Sequence, residues 1–208
     1  MDKSILKKLS YGMYIITSKE QDLLVGCTAN SVMQINSDTV AISLNNANYT
    51  TKVILEQKKF AINILPNNTD IELIKTFGFK KSNEVNKFAN VSYEIIDEVP
   101  IISNTCGYII CTLNNKIQTS THTIILGKII NLKQTNSLEA MTYKFYQENL
   151  KGTTNKTAPT YQSEKKTTTK NVFVCKICGY RYETDALELP DDFKCPMCGV
   201  GKEYFEKL

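Results

Sequence analysis

Four cysteines near the C-terminus have the types and the spacing of a metal site. Cys175 and Cys178 form one C-x2-C pair, and Cys195 and Cys198 form a second pair after sixteen intervening residues. Each pair can place two sulfurs on one tight turn, and two facing turns make a tetrahedral four-thiolate site. A glycine follows the second cysteine of each pair, where positive φ lets backbone amides point back at sulfur. The sequence therefore predicts a metal held by these four cysteines.

Disulfide bonds are the alternative use of such cysteines. The chain opens Met-Asp-Lys-Ser-Ile-Leu-Lys-Lys, without the apolar core of a secretory signal, so we expect a cytoplasmic protein with free thiols. The spacing alone fits both iron and zinc, because both ions accept four thiolates. Of the two, only iron changes its oxidation state in such a site.

The residues around the cysteines resemble the rubredoxin family. They read Cys-Lys-Ile-Cys-Gly-Tyr-Arg-Tyr from Cys175 and Leu-Pro-Asp-Asp-Phe-Lys-Cys-Pro-Met-Cys-Gly from Leu189. The resemblance runs over residues 171–208 and implies a small rubredoxin-like knuckle domain with one Fe(Cys)4 electron-transfer centre. Zinc remains the alternative occupant. The stretch between the pairs is shorter than in ordinary rubredoxins, and Phe193 occupies the place usually held by tryptophan.

The small size of this segment makes it depend on the metal. Residues 171–208 are too few to bury a self-sufficient core, so metal binding must supply folding energy. We expect a miniature core wrapped on the metal and built from six aromatic residues: Phe173, Tyr180, Tyr182, Phe193, Tyr204 and Phe205.

Residues 1–162 are long enough for one domain with a full core, and their pattern is mostly that of strands. The predicted strands are Tyr11–Ser18, Leu23–Ala29, Thr39–Leu44, Phe60–Leu65, Val91–Ile96, Gly107–Leu113 and Thr121–Leu132. The predicted helices are Tyr49–Gln57, Thr69–Thr76 and Ser137–Glu148, the last with Ser137 as its N-cap. Many strands and few helices predict a mainly β fold with an antiparallel barrel.

Several functions are disfavoured by the sequence. It contains neither the G-x-G-x-x-G pattern of dinucleotide-binding folds nor a P-loop. Apolar runs fall short of a membrane span, and the basic excess of residues 1–162 is too diffuse for nucleic acid, so we expect neither partner. The polar stretch 163–170 is typical of a flexible linker to the C-terminal domain.

Two polar clusters at strand ends suggest a cofactor site. Thr28, Ala29, Asn30 and Ser31 end an apolar strand, where small residues let a planar ligand lie against the backbone. The segment Asn45–Thr50 follows another strand and begins a helix. The N-terminus of a helix is a common binding position for phosphate. Such residues are also ordinary in turns and helix caps, so the clusters alone leave the cofactor undecided.

Ordered motifs across residues 1–162 resemble the flavin reductase-like family. They are Gly-Cys-Thr-Ala-Asn-Ser from Gly26, Val-Ala-Ile-Ser-Leu-Asn with Asn-Tyr-Thr to Thr50, Phe-Gly-Phe-Lys-Lys-Ser with Asn-Lys-Phe to Phe88, Thr-His-Thr-Ile-Ile-Leu-Gly to Gly127, and Ala-Pro-Thr-Tyr to Tyr161. The resemblance implies a split β-barrel, usually a homodimer, that binds FMN near the subunit interface. The FMN-binding residues that it implies are Thr28, Ala29, Asn30, Ser31, Asn45, Tyr49, Thr50, Phe77, Lys81, Ser82, His122 and Tyr161.

By this resemblance Thr28 to Ser31 line the isoalloxazine, and Lys81 and Ser82 reach the phosphate. Many relatives have Arg-Ser-Gly where this chain has Lys-Lys-Ser, so the phosphate assignment stays open. His122, the chain's single histidine, is the candidate catalytic residue, acting by a hydrogen bond to flavin or substrate.

A flavin reductase-like domain joined to a rubredoxin resembles the high-molecular-weight rubredoxins. That resemblance implies an electron carrier from an NAD(P)H-dependent reductase to a flavodiiron oxygen or nitric oxide reductase. Two alternatives remain open at this point. One is an FMN-binding module with a structural zinc ribbon, and the other is a stand-alone NAD(P)H:flavin reductase.

Overall fold

The computed structural model describes residues 4–154, 158, 160, 171–184 and 186–207. The chain divides into two units, Met1–Tyr161 and Gln162–Leu208. The predicted linker 163–170 and the candidate FMN residue Tyr161 lie outside the described residues. None of the helices within the described ranges is long and apolar enough to cross a membrane.

An antiparallel sheet of seven strands forms the larger unit. In chain order its strands are β1 (Tyr14–Glu20), β2 (Leu23–Ala29), β3 (Val32–Gln34), β4 (Thr39–Asn45), β5 (Lys59–Ile64), β8 (Gly107–Gln118) and β9 (His122–Gln134). Their spatial order is β2-β1-β5-β8-β9-β4-β3, and β6 (Tyr93–Ile96) pairs with β7 (Val99–Ile102) as a separate hairpin. The predicted mainly β, split-barrel fold is confirmed.

The helices connect strands of this sheet. α1 (Tyr49–Gln57) joins β4 to β5, α2 (Ile71–Phe79) follows β5, and α3 (Tyr143–Glu148) follows β9. A short 3-10 helix, Ser4–Lys8, precedes β1. Asp70 caps α2 by accepting a hydrogen bond from the Glu72 amide, which favours the start of the helix at this point.

Side chains that alternate between the two faces of each strand build the core. In the first half of β9 the odd-numbered residues, such as Ile125, point into the barrel, while the even-numbered ones lie on its outer face. Phe60, Ile62 and Ile125 are fully buried inside. A second cluster, in which Phe77 and Tyr146 are buried, lies where α2 and α3 cover the sheet, so one face of the sheet is closed by helices.

The third predicted helix was wrong in its first half. Residues 137–142 are extended, because the Met141 amide donates to the Leu65 carbonyl (2.7 Å) and the Met141 carbonyl accepts from the Met13 amide (2.9 Å). The N-cap is therefore Thr142, which accepts from the Phe145 amide, and not Ser137. Long-range backbone pairing overrode the local helix signal.

Other boundaries differ by smaller amounts. α1 and β2 have the predicted limits, whereas β8 and β9 extend beyond theirs to Gln118 and Gln134. The short strands β3 and β7 were missed, since neither shows a long apolar run and β7 contains Pro100.

The smaller unit has a sheet of three short strands. β10 (Asn171–Cys175) lies between β11 (Arg181–Thr184) and β12 (Phe205–Lys207), and a 3-10 turn at Lys202–Tyr204 precedes β12. Phe193 packs between two other aromatic rings, with centroids 4.6 Å from Tyr182 and 5.3 Å from Phe205. The shortened unit thus builds its small core around a phenylalanine.

Candidate cofactor sites

The four predicted cysteines of the smaller unit converge on one point. Their sulfur atoms all lie within 4.8 Å of one another, with Cys175 3.7 Å from Cys198 and Cys178 3.5 Å from Cys195. A tetrahedron of sulfurs about 2.3 Å from a shared ion has edges of about 3.8 Å. The spacing and the soft donor set therefore fit a single four-thiolate metal ion.

Two similar turns present these sulfurs. The Gly179 amide donates to the Cys175 carbonyl and the Gly199 amide to the Cys195 carbonyl, each at 2.8 Å. Both glycines have φ of 73°, which L side chains rarely adopt. The glycine after each pair is thus required by the turn, as the sequence predicted.

Backbone amides also point at the sulfurs. The Tyr180 amide donates to the sulfur of Cys178, and the Val200 amide donates to that of Cys198. Such donors stabilise negative charge on a thiolate, so they favour the ligand form and influence the potential of a bound metal. Cys175 and Cys195 are buried, whereas Cys178 and Cys198 are exposed. One side of the metal site therefore faces solvent.

In the larger unit, an open cleft lies where β2, β4 and β9 meet α2 and α3. The predicted residues Thr28, Ala29 and Asn30 line it from the end of β2. Asn45 and His122 line it from the adjoining ends of β4 and β9, where they are paired across the sheet. Strand pairing thus brings five predicted cofactor residues from three strands to one cleft.

Six other predicted FMN residues do not line this cleft. Ser31 donates a hydrogen bond to the Asn30 side chain, and Tyr49 donates one to Glu20 on β1. Thr50 is buried at the start of α1 beside Cys27. These residues lie behind or beside the lining rather than in it.

The remaining three come from α2 and the segment after it. Phe77 is buried in the core, and Ser82 is buried against the backbone of Gly26. Lys81 is exposed and pairs with Glu84 at 2.9 Å. A phosphate role for Lys81 and Ser82 therefore stays a prediction from resemblance.

Several lining residues were not predicted as ligands from the sequence, although some lie within segments that it singled out, such as Asn48, Gly78, Phe79, Ala158 and Thr160. They come from β4, the N-cap of α1, α2, α3 and the chain after α3: Ser43, Asn48, Ile74, Gly78, Phe79, Tyr143, Tyr146, Thr153, Thr154, Ala158 and Thr160. The Tyr143 hydroxyl bonds to that of Thr154 and accepts from Thr160, which itself accepts from the Asn30 amide at 3.0 Å. A tyrosine in a segment that was predicted only as part of a helix gave no local signal of this network.

His122 is half-buried, and burial lowers its pKa below the ordinary value of 6.5. Its Nδ1 lies 2.9 Å from the Thr121 hydroxyl. The ring is therefore neutral at pH 7, which suits the predicted hydrogen-bonding role and not a fixed positive charge.

The other three cysteines behave as small apolar residues. Cys27, Cys106 and Cys111 are buried, and burial raises the pKa of Cys27 to about 11 and that of Cys111 to about 12. These thiols are therefore neutral and unreactive at physiological pH.

The chemistry of the cleft lining suits a flavin. Small residues at the end of β2 leave room for a planar ring, and the amides of Asn30, Asn45 and Asn48 can bond to polar ring edges. The residues present thus fit a flavin.

Comparison with known families covers both units. Residues 6–154 match the family described as "Flavin reductase like domain". Residues 173–206 match the family described as "Rubrerythrin, rubredoxin-like domain".

Individual proteins are similar as well. The chain is 35% identical to the high molecular weight rubredoxin of Moorella thermoacetica, over 100% of both chains. It is 33% identical to the ferric-chelate reductase (NAD(P)H) of Archaeoglobus fulgidus, over 79% of this chain and 100% of that protein. The crystal structure of flavin reductase HpaC complexed with NADP+ superposes with a TM-score of 0.59 at 26% identity, covering 68% of this chain and 90% of that one. The first likeness extends across both units.

Proposed function

The chain belongs to the flavin reductase-like family and, with its rubredoxin-like domain, to the high molecular weight rubredoxins, and from this premise we propose its place in an electron-transfer route. It is an electron-transfer flavin and iron protein whose cofactors are FMN and iron. The proposal is that it carries electrons from an NAD(P)H-dependent reductase to an acceptor of the flavodiiron oxygen or nitric oxide reductase type.

One observation supports this proposal above the others. A single chain carries a cleft lined by five of the predicted flavin residues and a four-thiolate site with two exposed ligands. FMN exchanges one or two electrons, whereas mononuclear iron exchanges one, so the pair can convert between two-electron and one-electron partners. We place the FMN domain at residues 1–162, the linker at 163–170 and the iron domain at 171–208.

The chain's own residues have defined tasks in this proposal. Thr28, Asn30 and Asn45 orient the flavin ring in the cleft, and neutral His122 supplies a hydrogen bond at its edge. The four cysteines hold the iron, and the exposed sulfurs of Cys178 and Cys198 offer the short path to a docked partner. Tethering both sites in one chain gives a millimolar effective concentration.

The route is tested by reconstitution. An NAD(P)H-dependent reductase and a flavodiiron acceptor are mixed with limiting full-length protein, and oxygen or nitric oxide consumption is followed. The proposal expects consumption to depend on this protein and to be lost in Cys178→Ser, which removes an iron ligand. Unchanged consumption without the protein would contradict the assigned place in the route.

Direct oxidation of NAD(P)H is a second candidate. It is supported by the likeness to a relative named as an NAD(P)H-dependent ferric-chelate reductase and to a flavin reductase solved with NADP+. Anaerobic titration of the purified protein with NADH and with NADPH decides between the two. Rapid bleaching of the flavin without another protein would favour this candidate, whereas slow reduction by both nucleotides places a reductase upstream.

We also propose that the FMN domain forms a homodimer through the outer face of β8 and β9. Ile117 lies opposite Ile124 across these strands, so the two isoleucines share one face of the sheet. The exposed fraction of Ile117 is 56%, and neighbouring apolar side chains at a sheet surface can mark an interaction surface. His122 also lies on this face, so a partner here would border the cleft.

Light scattering after size exclusion measures the oligomeric state. The double variant Ile117→Glu/Ile124→Glu should be a monomer while the native protein is a dimer. Leu187→Glu, at an exposed leucine of the other unit, should remain a dimer. A double variant that stays dimeric would place the interface elsewhere.

A further inference from the structure

Lys87 is a buried cation between α2 and the edge of the sheet. Its side chain is almost wholly inaccessible, with 4% of the residue exposed. Its Nζ donates to the Gly26 carbonyl at 2.8 Å and to the Phe77 carbonyl at 3.2 Å, and lies 5.7 Å from the centre of the Phe77 ring. Among the residues that the structure describes, no carboxylate pairs with it. Buried ammonium groups are ordinarily paired, because desolvation is costly.

The Gly26 backbone is the second part of this arrangement. β2 is the outermost strand of the sheet, so one of its edges lacks a neighbouring strand. There the Gly26 amide donates to the Ser82 hydroxyl at 3.1 Å, and its carbonyl accepts from both Ser82 and Lys87. The two side chains thus satisfy backbone groups that a further strand would otherwise pair.

These contacts connect two walls of the flavin cleft. Gly26 lies two residues before Thr28, which begins the β2 wall, and Phe77 directly precedes the lining residue Gly78 of α2. The Thr28 hydroxyl also donates to the Ile74 carbonyl at 3.0 Å. The Lys87 ammonium therefore joins β2 to the C-terminal end of α2 directly behind the lining.

We propose that Lys87 is a positioning residue for the bound flavin, holding the β2 and α2 walls at a fixed separation and placing an unpaired positive charge behind them. The charge favours the more negative of the two oxidation states of the flavin, so it raises the flavin's reduction potential. The inference rests on FMN binding in the cleft and is independent of which redox partners the protein uses.

The surroundings keep the lysine charged near neutral pH. Burial lowers the pKa of Lys87 to about 8, and burial raises the pKa of the neighbouring Cys27 thiol on β2 to about 11. At pH 7 the lysine is therefore protonated and the thiol neutral. α2 presents to Lys87 the carbonyl and ring of Phe77, while Lys81 and Glu84 of its own segment pair with each other at the surface. A charge in such a poorly solvated place acts more strongly on its neighbours than one at the surface.

Three variants of the full-length protein separate the effect of the Lys87 charge from that of the hydrogen bonds that join β2 to α2. Lys87→Met removes the charge at similar length, Lys87→Arg keeps it, and Ser82→Ala removes contacts to Gly26 without changing charge. Lys52→Met, which removes an exposed cation of α1, is the control for net charge. The measurements are the FMN dissociation constant and the midpoint potential of bound FMN at pH 7.

The expected results differ between the variants. Lys87→Met should weaken FMN binding by about tenfold, because the charge-assisted hydrogen bonds between β2 and α2 are lost. It should also shift the reduction potential of the bound flavin to a more negative value. Ser82→Ala should weaken FMN binding yet keep the native potential, and Lys87→Arg should keep the potential. Lys52→Met should change neither quantity.

An unchanged flavin potential in FMN-bound Lys87→Met would overturn the proposal, because Lys87 would then only stabilise the packing of β2 against α2. If that variant does not fold, the pH profile decides. The native potential should then fall more steeply as pH rises through about 8, the pKa of Lys87, and Lys87→Arg should lack this inflection. Identical profiles would overturn the proposal. Because partner turnover is not measured, neither outcome bears on the proposed electron route.

Discussion

Asn45 and His122 are Cα partners at one end of the β4–β9 ladder, where β4 ends and β9 begins. The Asn46 amide extends this pairing by donating to the Thr121 carbonyl at 2.9 Å. Residues separated by more than seventy positions are thereby fixed side by side at the cleft. The site thus depends on the register of β4 and β9, because a shift of one residue would move one of these side chains to the opposite face of the sheet.

Asn30→Ala should weaken FMN binding by about 1–3 kcal/mol, because a half-buried amide in the lining loses its contacts to the ligand. The Asn30 side chain donates to Thr160 and accepts from Ser31, so its orientation is already fixed. Fluorescence titration with FMN measures the change. Asn36→Ala, in a surface loop, is the control and should bind FMN as the native protein does. Equal affinity in Asn30→Ala would move the ring away from β2.

Lys81→Ala should also weaken FMN binding, by about 1–3 kcal/mol for the loss of a phosphate contact. Glu84→Ala should strengthen binding, since Lys81 pairs with Glu84 and would be released. The same titration with riboflavin, which lacks the phosphate, should show no effect of either change. If both variants bind FMN normally, the phosphate-binding site lies elsewhere, and Lys80 is the first candidate.

Cys178→Ser and Cys195→Ser should each abolish the iron chromophore and unfold the small unit while FMN stays bound. The reason is a four-ligand site in a segment too small to fold without its metal. Visible absorption and NMR dispersion of residues 171–208 measure both effects. A well-dispersed spectrum for this unit in the metal-free variant would show that it folds without metal.

Gly26→Ala should destabilise the barrel by about 1–3 kcal/mol through overpacking. An added Cβ would lie 2.7 Å from the Phe77 ring and 3.2 Å from the Ile16 carbonyl. Gly78→Ala is the matched variant, where the nearest atoms are 3.6 Å away and alanine favours the helix, so stability should rise slightly. Calorimetry of the barrel transition compares them, and the double change Gly26→Ala/Phe77→Leu should recover part of the loss.

The stability of the barrel should depend on pH through Lys87. Its folded pKa of about 8 lies below the ordinary 10.5, so between these values the unfolded chain binds more protons. The free energy of unfolding of the native protein should therefore rise relative to that of Lys87→Met as pH increases from about 8 to 10.5. Below about pH 8 the native protein bears the whole cost of burying the charged ammonium group. Calorimetric melting of both proteins across this range measures the difference. A constant difference would mean that Lys87 keeps its ordinary pKa.

Local patterns in the sequence were enough to predict much of this molecule. The cysteine spacing, the glycines after each pair, the limits of α1 and the β2 segment Thr28–Asn30 depend on neighbouring residues alone. Such features follow from turn geometry and strand periodicity.

Features that depend on long-range contacts were missed. The role of Tyr143 in the cleft follows from bonds to Thr154 and Thr160, and the fastening by Lys87 follows from a sheet edge sixty-one residues away. The helix expected from Ser137 was replaced by extended chain, because Met141 pairs with two distant strand ends. Neither hydrophobic period nor propensity carries such information.

Electron transfer between the two cofactor sites of one chain is the most direct test of the central claim. The FMN of the full-length protein is reduced rapidly under anaerobic conditions, and the flavin and iron absorption bands are followed separately. The account predicts that the iron band bleaches while the flavin spectrum changes by the loss of one electron, with a rate constant independent of protein concentration, and that Cys178→Ser shows no such exchange. An iron band that stays oxidised beside reduced flavin, or a rate proportional to protein concentration, would contradict a tethered electron carrier.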